Sequence, residues 1–592
     1  MSVVVGFNWP VDHDQSAVAI VDGRLVFASE EERYTRHKRS FGEPPYYSLI
    51  SLLKYLGKFG IKARDIDTFA VNYDVRLMSK PMSDFFFRKC LGQTYNTGSN
   101  PLWLNTQRNM NHMKLIRFFL RNVFLALKQD LPEKLAVVPV EHHLAHAASA
   151  YYFSGYSSCA VITVDGVGER ISTAVWRVSN GNFEKLLGMP VANGSLGYFY
   201  GAMARRLSFT FLEGPGKLMG LAPYGKLNIR THAKFENAIK INPDKDTPFS
   251  FLTSSNMEIR RFSPKTFLET DALYDRFTST LVSNQLKWNP RGELDRTVSN
   301  TAWSTQKITE DAMLSLARWT KANTGENKLA MAGGVALNAK ANMEMYYSHI
   351  FDDIFVFPAA DDSGSTAGAA AYVYEHSLGG RIKNIRLRNV YLGPEYEDEE
   401  IRKLVNESRL KAEYIGDAVD PVARMLTQGK IIGWYQGRGE FGRRALGNRS
   451  IVADPRNKKM WHEVNMIKGR EWWRPVAPSL LENSMNNYFV TPKEHPFMIM
   501  MYRFTVEGAK RIAAVCHVDE TTRPQTVRKA DNKQWYNLIK SFGERTGENI
   551  LINTSFNLDG EPIVETPKDA IKTFAIGGLD GLYLQGWLIT KN

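Results

Sequence analysis

The sequence predicts an α/β fold, in which short apolar strands alternate with helices along the chain. The clearest evidence is a pair of segments, Leu329–Met331 and Ile354–Phe357, each of which runs into a glycine-containing turn and then a helical stretch. Such strand–turn–helix units place functional groups at the carboxyl ends of the strands. The 592 residues are enough for roughly two to four structural units.

The N-terminal region predicts a β-hairpin. A strand at Val3–Phe7 is followed by two apolar runs, Ala17–Val21 and Leu25–Ala28, that flank Asp22-Gly23. A strand ending in Val-Asp-Gly recurs at Val164–Gly166, which suggests two related halves. The other predicted elements are helices at Tyr46–Phe59 and Asn111–Leu127, and strands at Thr68–Tyr73, Leu135–Val140, Cys159–Val164, Thr173–Val178 and Asn549–Ile552.

A second block of sequence begins near Arg386, where the acidic stretch Glu395–Glu400 indicates a new helix after a linker. We therefore expect two domains, residues 1–385 and 386–592. Residues 75–130 are rich in Met, Phe, Asn and Trp. They are either an insertion that covers a site, whose aromatic residues stack on a ring of a bound molecule, or an ordinary packed helix with a long loop. The aromatic candidates are Phe85, Phe86, Phe87, Tyr95 and Trp103.

The net charge of +13 is compatible with a nucleic-acid partner. However, eleven Lys and Arg residues against four Asp and Glu residues fall between Lys430 and Arg474, interleaved with glycines. This clustering favours a phosphate-binding pocket over a surface that follows a duplex, so we expect no nucleic-acid partner.

The three cysteines are too few for a disulfide framework or a CxxC metal site. We expect neither a signal peptide nor a transmembrane helix, because no charged segment precedes a long apolar run and no apolar run reaches about 18 residues. The sequence therefore predicts a cytoplasmic protein without a membrane partner.

His142 and His146 lie four residues apart and so share one face of a helix. No Glu lies between them, which excludes the HExxH metalloprotease motif. Asp165 and Asp362 follow apolar strands, and the four side chains together suit iron, manganese or zinc. Two core histidines at this spacing by chance are the alternative, and Asp361 competes with Asp362.

Glycines after strands predict a nucleotide site, because backbone N–H groups there can approach phosphates. Tight turns are the alternative, since neither a Walker A nor a Rossmann pattern is present. A compact loop at Glu213–Met219 would present Lys217 to a phosphate, and His13 follows the first strand as a candidate general base. The nucleotide-binding candidates in this region are Gly166, Gly168, Lys217, Gly333, Gly334 and Asn338.

The strongest cluster is Gly437–Arg456, in which five arginines lie among glycines. That glycine density excludes a regular helix, and arginines on glycine turns suit bidentate binding of phosphate or carboxylate. A solvated basic face is the alternative. The other polar candidates of this block are Lys468, Arg470, Arg474, Asn553, Thr554, Ser555 and Asn557.

These motifs resemble the carbamoyltransferase family that modifies nodulation factors and antibiotics. The resemblance extends from His13 to Pro567 and omits residues 75–130. The matching stretches are HDQSAVAIVDG, EEERYTRHKR, EHHLAHAASAYY, GKLMGLAPYG, GGVALN, DDSGSTAGAA, GEFGRRALGNRSIVADPR, IKGREWWRPVAPS and NTSFNLDGEPIVETP.

The resemblance implies an α/β N-terminal domain of the actin-like ATPase type (ASKHA, a duplicated ribonuclease-H-like fold) and an α+β, YrdC-like C-terminal domain. By resemblance, the second domain makes carbamoyl adenylate from carbamoyl phosphate and ATP with magnesium, and the first transfers the carbamoyl group to a hydroxyl. The implied acceptor is a small, sugar-like or natural-product molecule, and a homodimer is left open. The alternatives are a threonylcarbamoyl-type tRNA-modifying enzyme and a non-catalytic, sugar-kinase-like protein.

The resemblance also assigns roles to residues. His142, His146, Asp165 and Asp362 match the metal ligands, for which ferrous iron is expected and manganese or zinc are alternatives. His13 matches a candidate base. Arg443 stands where the family usually has proline, so its role stays open. The residues that match the adenylate-forming pocket are Arg444, Arg449, Lys468, Arg474, Asn553 and Ser555.

Overall fold

The computed structural model describes residues 1–9, 13–79, 112–130, 132, 135–242, 246–253 and 263–591. The aromatic candidates between residues 85 and 103 lie outside these ranges. The chain divides into two compact units. The first comprises Met1–Leu218, Leu227–Lys287 and Ser304–Leu387, and the second comprises Met219–Lys226, Trp288–Trp303 and Arg388–Asn592. Two short segments that precede residue 386 therefore group with the second unit.

The first unit contains two sheets and a small hairpin. Its strands are β1 (Val3–Phe7), β2 (Ser16–Val21), β3 (Arg24–Glu30), β4 (Thr68–Val71), β5 (Val137–Pro139), β6 (Ser158–Val164), β7 (Ile171–Ser179), β8 (Asn182–Pro190), β9 (Ile239–Ile241), β10 (Phe249–Phe251), β11 (Lys328–Ala332) and β12 (Asp353–Val356).

Helices connect these strands. Within the described ranges, none of the chain's helices is both long enough and apolar enough to cross a bilayer. The helices up to residue 376 are α1 (Glu32–Thr35), α2 (Tyr46–Lys58), α3 (His112–Ala126), α4 (His142–Tyr152), α5 (Val191–Gly194), α6 (Leu196–Arg206), α7 (Gly214–Leu221), α8 (Ile229–Ala238), α9 (Pro264–Leu281), α10 (Arg296–Thr324), α11 (Ala339–Tyr347) and α12 (Asp362–His376).

The two large sheets of the first unit have the same topology. Their strand orders are β3-β2-β1-β4-β5 and β8-β7-β6-β11-β12. In each sheet the first three strands in sequence are antiparallel neighbours, and the last two run parallel to the first. This repetition confirms the two related halves and the mixed α/β class, and it is the duplicated arrangement that the resemblance implies.

The sequence motif that suggested the duplication nevertheless pairs turns that are not equivalent. Asp22 and Gly23, both with positive φ, close the β2–β3 hairpin, and their counterpart in the second half is Asn180-Gly181 between β7 and β8. Asp165 instead starts the longer β6–β7 loop, where its Oδ1 accepts a hydrogen bond from the N–H of Gly166 at 2.6 Å. An Asp-Gly pair fits both environments, so the sequence could not distinguish them.

Helices α4 and α12 follow the last strand of each half and pack closely. A Cβ atom on Gly368 of α12 would lie 1.8 Å from the carbonyl oxygen of Ala145 in α4, so only glycine permits this approach. Because the two helices occupy equivalent places in the repeat, their N-termini lie together, and each carries candidate metal ligands.

The predicted helices at Tyr46–Phe59 and Asn111–Leu127 are confirmed as α2 and α3. Both bury apolar side chains in the core of the first half, including Leu52, Leu56, Leu120 and Val123. The described part of the 75–130 region thus contains an amphipathic helix packed on the first half.

The prediction of a loop at Glu213–Met219 is wrong, because helix α7 occupies Gly214–Leu221. Pro215 is compatible with the first turn of a helix, where its missing N–H costs nothing. Lys217 is therefore a helical residue, and its Nζ lies 5.9 Å from the centre of the Phe209 ring.

The second unit is built on an eight-stranded mixed sheet in its described residues, in the order β13-β22-β21-β14-β15-β20-β16-β19. A separate pair joins β17 and β18. The strands are β13 (Lys411–Tyr414), β14 (Ile432–Tyr435), β15 (Arg449–Ala453), β16 (Ala477–Leu481), β17 (Tyr502–Arg503), β18 (Thr521–Thr522), β19 (Gln525–Val527), β20 (Ile550–Ser555), β21 (Gly581–Leu584) and β22 (Trp587–Thr590). The helices are α13 (Asp398–Ser408), α14 (Asp420–Thr427), α15 (Lys459–Ile467), α16 (Val506–Arg511), α17 (Lys533–Thr546) and α18 (Pro567–Ile576).

The register of this sheet joins two sequence motifs that lie about a hundred residues apart. β15 lies toward the end of the arginine–glycine segment, Gly437–Arg456, and Ser450 of β15 pairs with Ser555 of β20. Asn553 of β20 pairs with both Val452 and Ala477. The Asn-Thr-Ser motif therefore lies beside the end of the arginine–glycine segment.

Gly333 offers a test of the strand geometry beside Asp165. It has φ 93° and ψ 152°, a conformation that is open almost only to glycine, and a Cβ would lie 2.3 Å from the Val164 carbonyl oxygen. We expect Gly333→Ala to lower the free energy of unfolding by more than about 2 kcal/mol. Gly325→Ala is the control, because Gly325 also has positive φ but open space around its Cβ position. Equal shifts in the urea midpoint for the two variants would contradict this account.

Candidate active sites

Four side chains from three elements converge in the first unit. His142 and His146 come from the first turns of α4, Asp362 begins α12, and Asp165 follows β6. The imidazole Nε2 of His146 lies 3.0 Å from Asp165 Oδ2 and 3.6 Å from Asp362 Oδ1. The Nε2 atoms of the two histidines are 3.1 Å apart. All four donor atoms lie within 4.8 Å of one another, a spacing that could hold one metal ion.

The orientation of His142 leaves its Nε2 free to act as a ligand. Its Nδ1 lies 3.3 Å from the carbonyl oxygen of Asn72, which can only accept, so Nδ1 carries the proton. Two neutral imidazoles and two carboxylates form a donor set that fits a borderline divalent ion. The residues present therefore fit the metal that the sequence predicts.

Strong electrostatic coupling within the cluster supports the same conclusion. Burial acts to lower the pKa of His146, but hydrogen bonds with Asp165 and Asp362 outweigh it and raise the pKa to about 9. Burial acts to raise the pKa of Asp165, but the two histidines hold it well below its usual range. The protein has thus placed two carboxylates where they stabilise a buried positive charge.

Side chains around the cluster hold α4 in place. Both oxygens of the buried Glu169 accept from the N–H of His142 at 3.1 Å, at the N-terminus of the helix. The Tyr73 ring stacks on His142 with centroids 4.1 Å apart. His143 faces away from the cluster: its Nδ1 accepts from Thr163 Oγ1 at 2.8 Å, and its Nε2 donates to the Ile171 carbonyl at 3.0 Å. Sequence analysis missed Glu169 and Tyr73. The signal that could have identified Glu169 is that an acidic residue directly follows the Gly-Val-Gly turn.

Backbone geometry decides between Asp361 and Asp362. Asp361 is the N-cap of α12, and its Oδ1 accepts from the N–H and the hydroxyl of Ser363. The next residue, Asp362, has its carboxylate in the metal cluster. Asp361 is therefore engaged in capping, and the structure favours Asp362 as the ligand.

The predicted nucleotide residues of this unit fall into two groups. Gly166, Gly168 and Gly334 lie against Asp165 or His143, at the rim of the metal cluster. Asn338 instead caps α11 and exchanges hydrogen bonds with the Gln306 amide, so both ends of its side chain are already bonded within the protein.

His13 lies in the β1–β2 loop, the equivalent in the first half of the loop that carries Asp165. Its Nδ1 donates to Asp14 Oδ2 at 3.0 Å, which leaves Nε2 as a proton acceptor. Arg39 donates to the same Asp14 oxygen at 3.1 Å. Burial acts to lower the pKa of His13, but Asp14 and the charge of Asp362 raise it overall.

In the second unit, Lys468 reaches the Asn-Thr-Ser motif. Its buried Nζ donates to the carbonyl and hydroxyl of Ser555 and to the carbonyl and side-chain oxygens of Asn557. Ser555 in turn donates to Asn557 Oδ1 at 2.6 Å. The structure thus brings together a lysine and a strand end that the sequence placed in one pocket.

Three arginines of the second unit form a cluster of like charges. Burial and the neighbouring Arg474 lower the pKa of Arg523 to about 10. Burial, Arg474 and Arg523 also hold the pKa of Arg470 well below its ordinary value. A bound dianion would relieve this repulsion, so the cluster is a candidate phosphate site. Sequence analysis missed Arg523, which lies alone in a Thr-Arg-Pro turn without a glycine pattern.

Other predicted pocket residues serve mainly to hold the arginine–glycine segment. Arg449 is 1% exposed; its guanidinium donates to the carbonyls of Gln436 and Gly437 and stacks on Tyr435. The amide of Asn553 donates to the carbonyl of Ala445 at 3.0 Å. Arg443 and Arg444 lie between these anchors and are partly buried. We therefore assign Arg449 to packing, whereas Arg444 remains a candidate ligand-binding residue.

Comparison with known proteins identifies the family. The chain belongs to the carbamoyltransferases: the model of the carbamoyltransferase N-terminus matches residues 4–371 and that of the C-terminus matches residues 423–591. The nodulation protein NolNO of Sinorhizobium fredii is 33% identical over 98% of this chain and 79% of its own length. The nodulation protein NolO of Bradyrhizobium diazoefficiens is 35% identical over 76% of this chain and 79% of its own. Among solved structures, the (R)-2-hydroxyglutaryl-CoA dehydratase component A of Acidaminococcus fermentans is 15% identical with a TM-score of 0.31, covering 64% of this chain and 100% of its own.

Adjacent aspartates offer a matched test of the metal cluster. We expect Asp362→Asn to weaken binding of Co²⁺ by at least about 100-fold, because it removes a metal ligand and not merely a residue that hydrogen-bonds to a ligand. Asp361→Asn should leave the affinity within about threefold, because Asn caps a helix as well as Asp does. Titration by the visible absorption of Co²⁺, with metal content by mass spectrometry, measures both. Equal losses in the two variants would show that the helix end matters and the Asp362 carboxylate does not.

Proposed function

We propose that the protein is an O-carbamoyltransferase that works through carbamoyl adenylate. In the first reaction, carbamoyl phosphate, ATP and one water give carbamoyl adenylate, pyrophosphate and phosphate. In the second, an acceptor hydroxyl attacks the carbamoyl carbon, and the bond to the AMP phosphate breaks. The acceptor is a small molecule, of sugar or natural-product type, and the products are its carbamate ester and AMP.

The observation that carries the proposal is the arginine cluster of the second unit, in which the charges of Arg470, Arg474 and Arg523 repel one another. We propose that this unit is the YrdC-like, adenylate-forming domain, and that the cluster binds the phosphates of carbamoyl phosphate and ATP. Charge builds up on pyrophosphate as the α-phosphorus is attacked, and fixed guanidinium groups stabilise it without reorganisation. Lys468, at the Ser555 end of β20, supplies a further positive charge.

We propose that transfer takes place in the first unit. The residues that would hold a divalent ion are His142, His146, Asp165 and Asp362, and a bound ion supplies a Lewis acid for the carbamoyl oxygen. His13 takes the proton of the acceptor hydroxyl at Nε2, because Asp14 fixes the tautomer with the proton on Nδ1. We propose that the adenylate binds beside the cluster, at the turns that contain Gly166, Gly168, Gly333 and Gly334.

Pyrophosphate release tests the first reaction directly. Purified protein with carbamoyl phosphate and ATP should release pyrophosphate without any acceptor. No pyrophosphate under these conditions would overturn the adenylate mechanism. A requirement for threonine and bicarbonate would instead favour a threonylcarbamoyl-type tRNA-modifying enzyme.

Two substitutions should separate the reactions. We expect Lys468→Ala to reduce pyrophosphate release by about 100-fold or more, because a charge on the pyrophosphate is lost. His146→Ala should release pyrophosphate normally but transfer no carbamoyl group to an acceptor. Lys459→Ala, which removes an exposed lysine of the neighbouring helix, is the control. Normal pyrophosphate release by Lys468→Ala would remove that lysine from the site, and transfer by metal-free protein would remove the metal.

The environment of His13 predicts a pH dependence for transfer. Its pKa is raised, so it is protonated and inactive as a base below that value, and the rate should increase as the pH rises through it. Asp14→Asn removes the main group that raises the pKa, so the acid limb of the kcat profile should move to lower pH. Arg39→Met removes a charge that lowers the pKa and should move the limb to higher pH. Unchanged limbs in both variants would exclude His13 as the base.

A further inference from the structure

We infer that Glu440 is a positioning residue that fixes the place of Arg444 in the second unit, an inference that rests on the proposed adenylate-forming reaction. Glu440 is 3% exposed and lies inside the arginine–glycine segment. Burying a carboxylate costs free energy unless it is well hydrogen-bonded, so the hydrogen bonds of Glu440 indicate its role.

One oxygen of Glu440 organises the second half of the loop. Its Oε1 accepts from the backbone N–H groups of Leu446, Asn448 and Arg449 at 2.9, 2.8 and 3.0 Å. Three amides that point at one oxygen form a ring around a negative charge, and such charge-assisted hydrogen bonds are strong. The loop is thus folded around a side chain of its own.

Other contacts fix both ends of the short stretch that presents the two arginines. Before it, the N–H of Phe441 donates to the Val390 carbonyl at 2.8 Å. After it, the carbonyl of Leu446 accepts from Tyr391 Oη at 2.8 Å and from the Gln525 amide at 2.7 Å. Residues 442–445 bridge these anchors, so the position of Arg444 depends on where the anchors lie.

The two oxygens of Glu440 are not equivalent. In the described part of the chain, Oε2 is buried without a hydrogen-bond partner, whereas Oε1 has three. The carboxylate therefore acts through the position of a single oxygen. Moving that oxygen should displace the loop, while replacing Oε2 by an amide nitrogen should be tolerated better. If Glu440 acts by position, moving Oε1 should be more harmful than removing the charge; if it acts only by its charge, removing the charge should be more harmful.

The test compares Glu440→Asp, which withdraws the oxygen by one methylene, with Glu440→Gln, which keeps it in place. We expect Glu440→Asp to lower kcat for pyrophosphate formation by about 100-fold, as a misplacement near 1 Å does, and Glu440→Gln to lower it by about 10-fold. The KM for ATP should change by less than about threefold in both. Glu463→Gln, an exposed acid on α15, is the control.

A double-mutant cycle with Arg444→Met decides whether Glu440 acts through Arg444. If it does, Glu440→Asp should cost less than about threefold in the Arg444→Met background. Multiplicative losses, or a larger loss for Gln than for Asp, would overturn the inference. The same cycle measured by calorimetric binding of inorganic pyrophosphate needs no turnover. If wild-type protein binds pyrophosphate but releases none, the proposed function fails while the Glu440 cycle is still judged by binding.

Discussion

The close crossing of α4 and α12 is the contact on which the first unit's chemistry depends. At Gly368 the two backbones approach within a distance that no side chain allows. That approach places the first turn of α4, with its two histidines, beside the first residue of α12. His146 and Asp362 belong to different halves of the repeat, and this crossing is what brings them within 3.6 Å of each other. The duplicated topology makes the crossing possible, because each half ends in a helix at the same place.

The repeat also explains why the candidate base and one candidate metal ligand, Asp165, lie on corresponding loops. The β1–β2 loop carries His13, and its counterpart, the β6–β7 loop, carries Asp165. A duplication gives two similar loops at the same edge of two sheets, and each can then acquire a different side chain. Hence the first half supplies the candidate base and both histidines of the metal cluster, and the second half supplies both aspartates.

The second unit is distinguished by several positively charged side chains that lie close together. Part of its basic surplus is structural: Arg438 and Arg449 donate to backbone carbonyls and tie the segment down. Elsewhere in the unit the charge of Arg474 lowers the pKa of Arg523, although Arg474 also pairs with Glu471 at 3.4 Å. Together with Arg438 and Arg449, Glu440 holds the arginine–glycine segment through hydrogen bonds to backbone N–H groups.

The sequence by itself determined the α/β class, most strands and helices, the pair of histidines and the grouping of lysine and arginine in the second block. These follow from local patterns, namely alternation of apolar residues, the four-residue spacing of His142 and His146, and glycine density. Only the tertiary structure decided which Asp-Gly pair is a hairpin turn, that residues 214–221 form a helix, that Asp361 caps while Asp362 faces the cluster, and that Arg449 is buried. It also brought in Glu169 and Arg523, which the sequence analysis missed. The reason is physical: a local pattern fixes backbone geometry over a few residues, whereas the role of a polar side chain depends on partners that only the folded chain brings within hydrogen-bond distance.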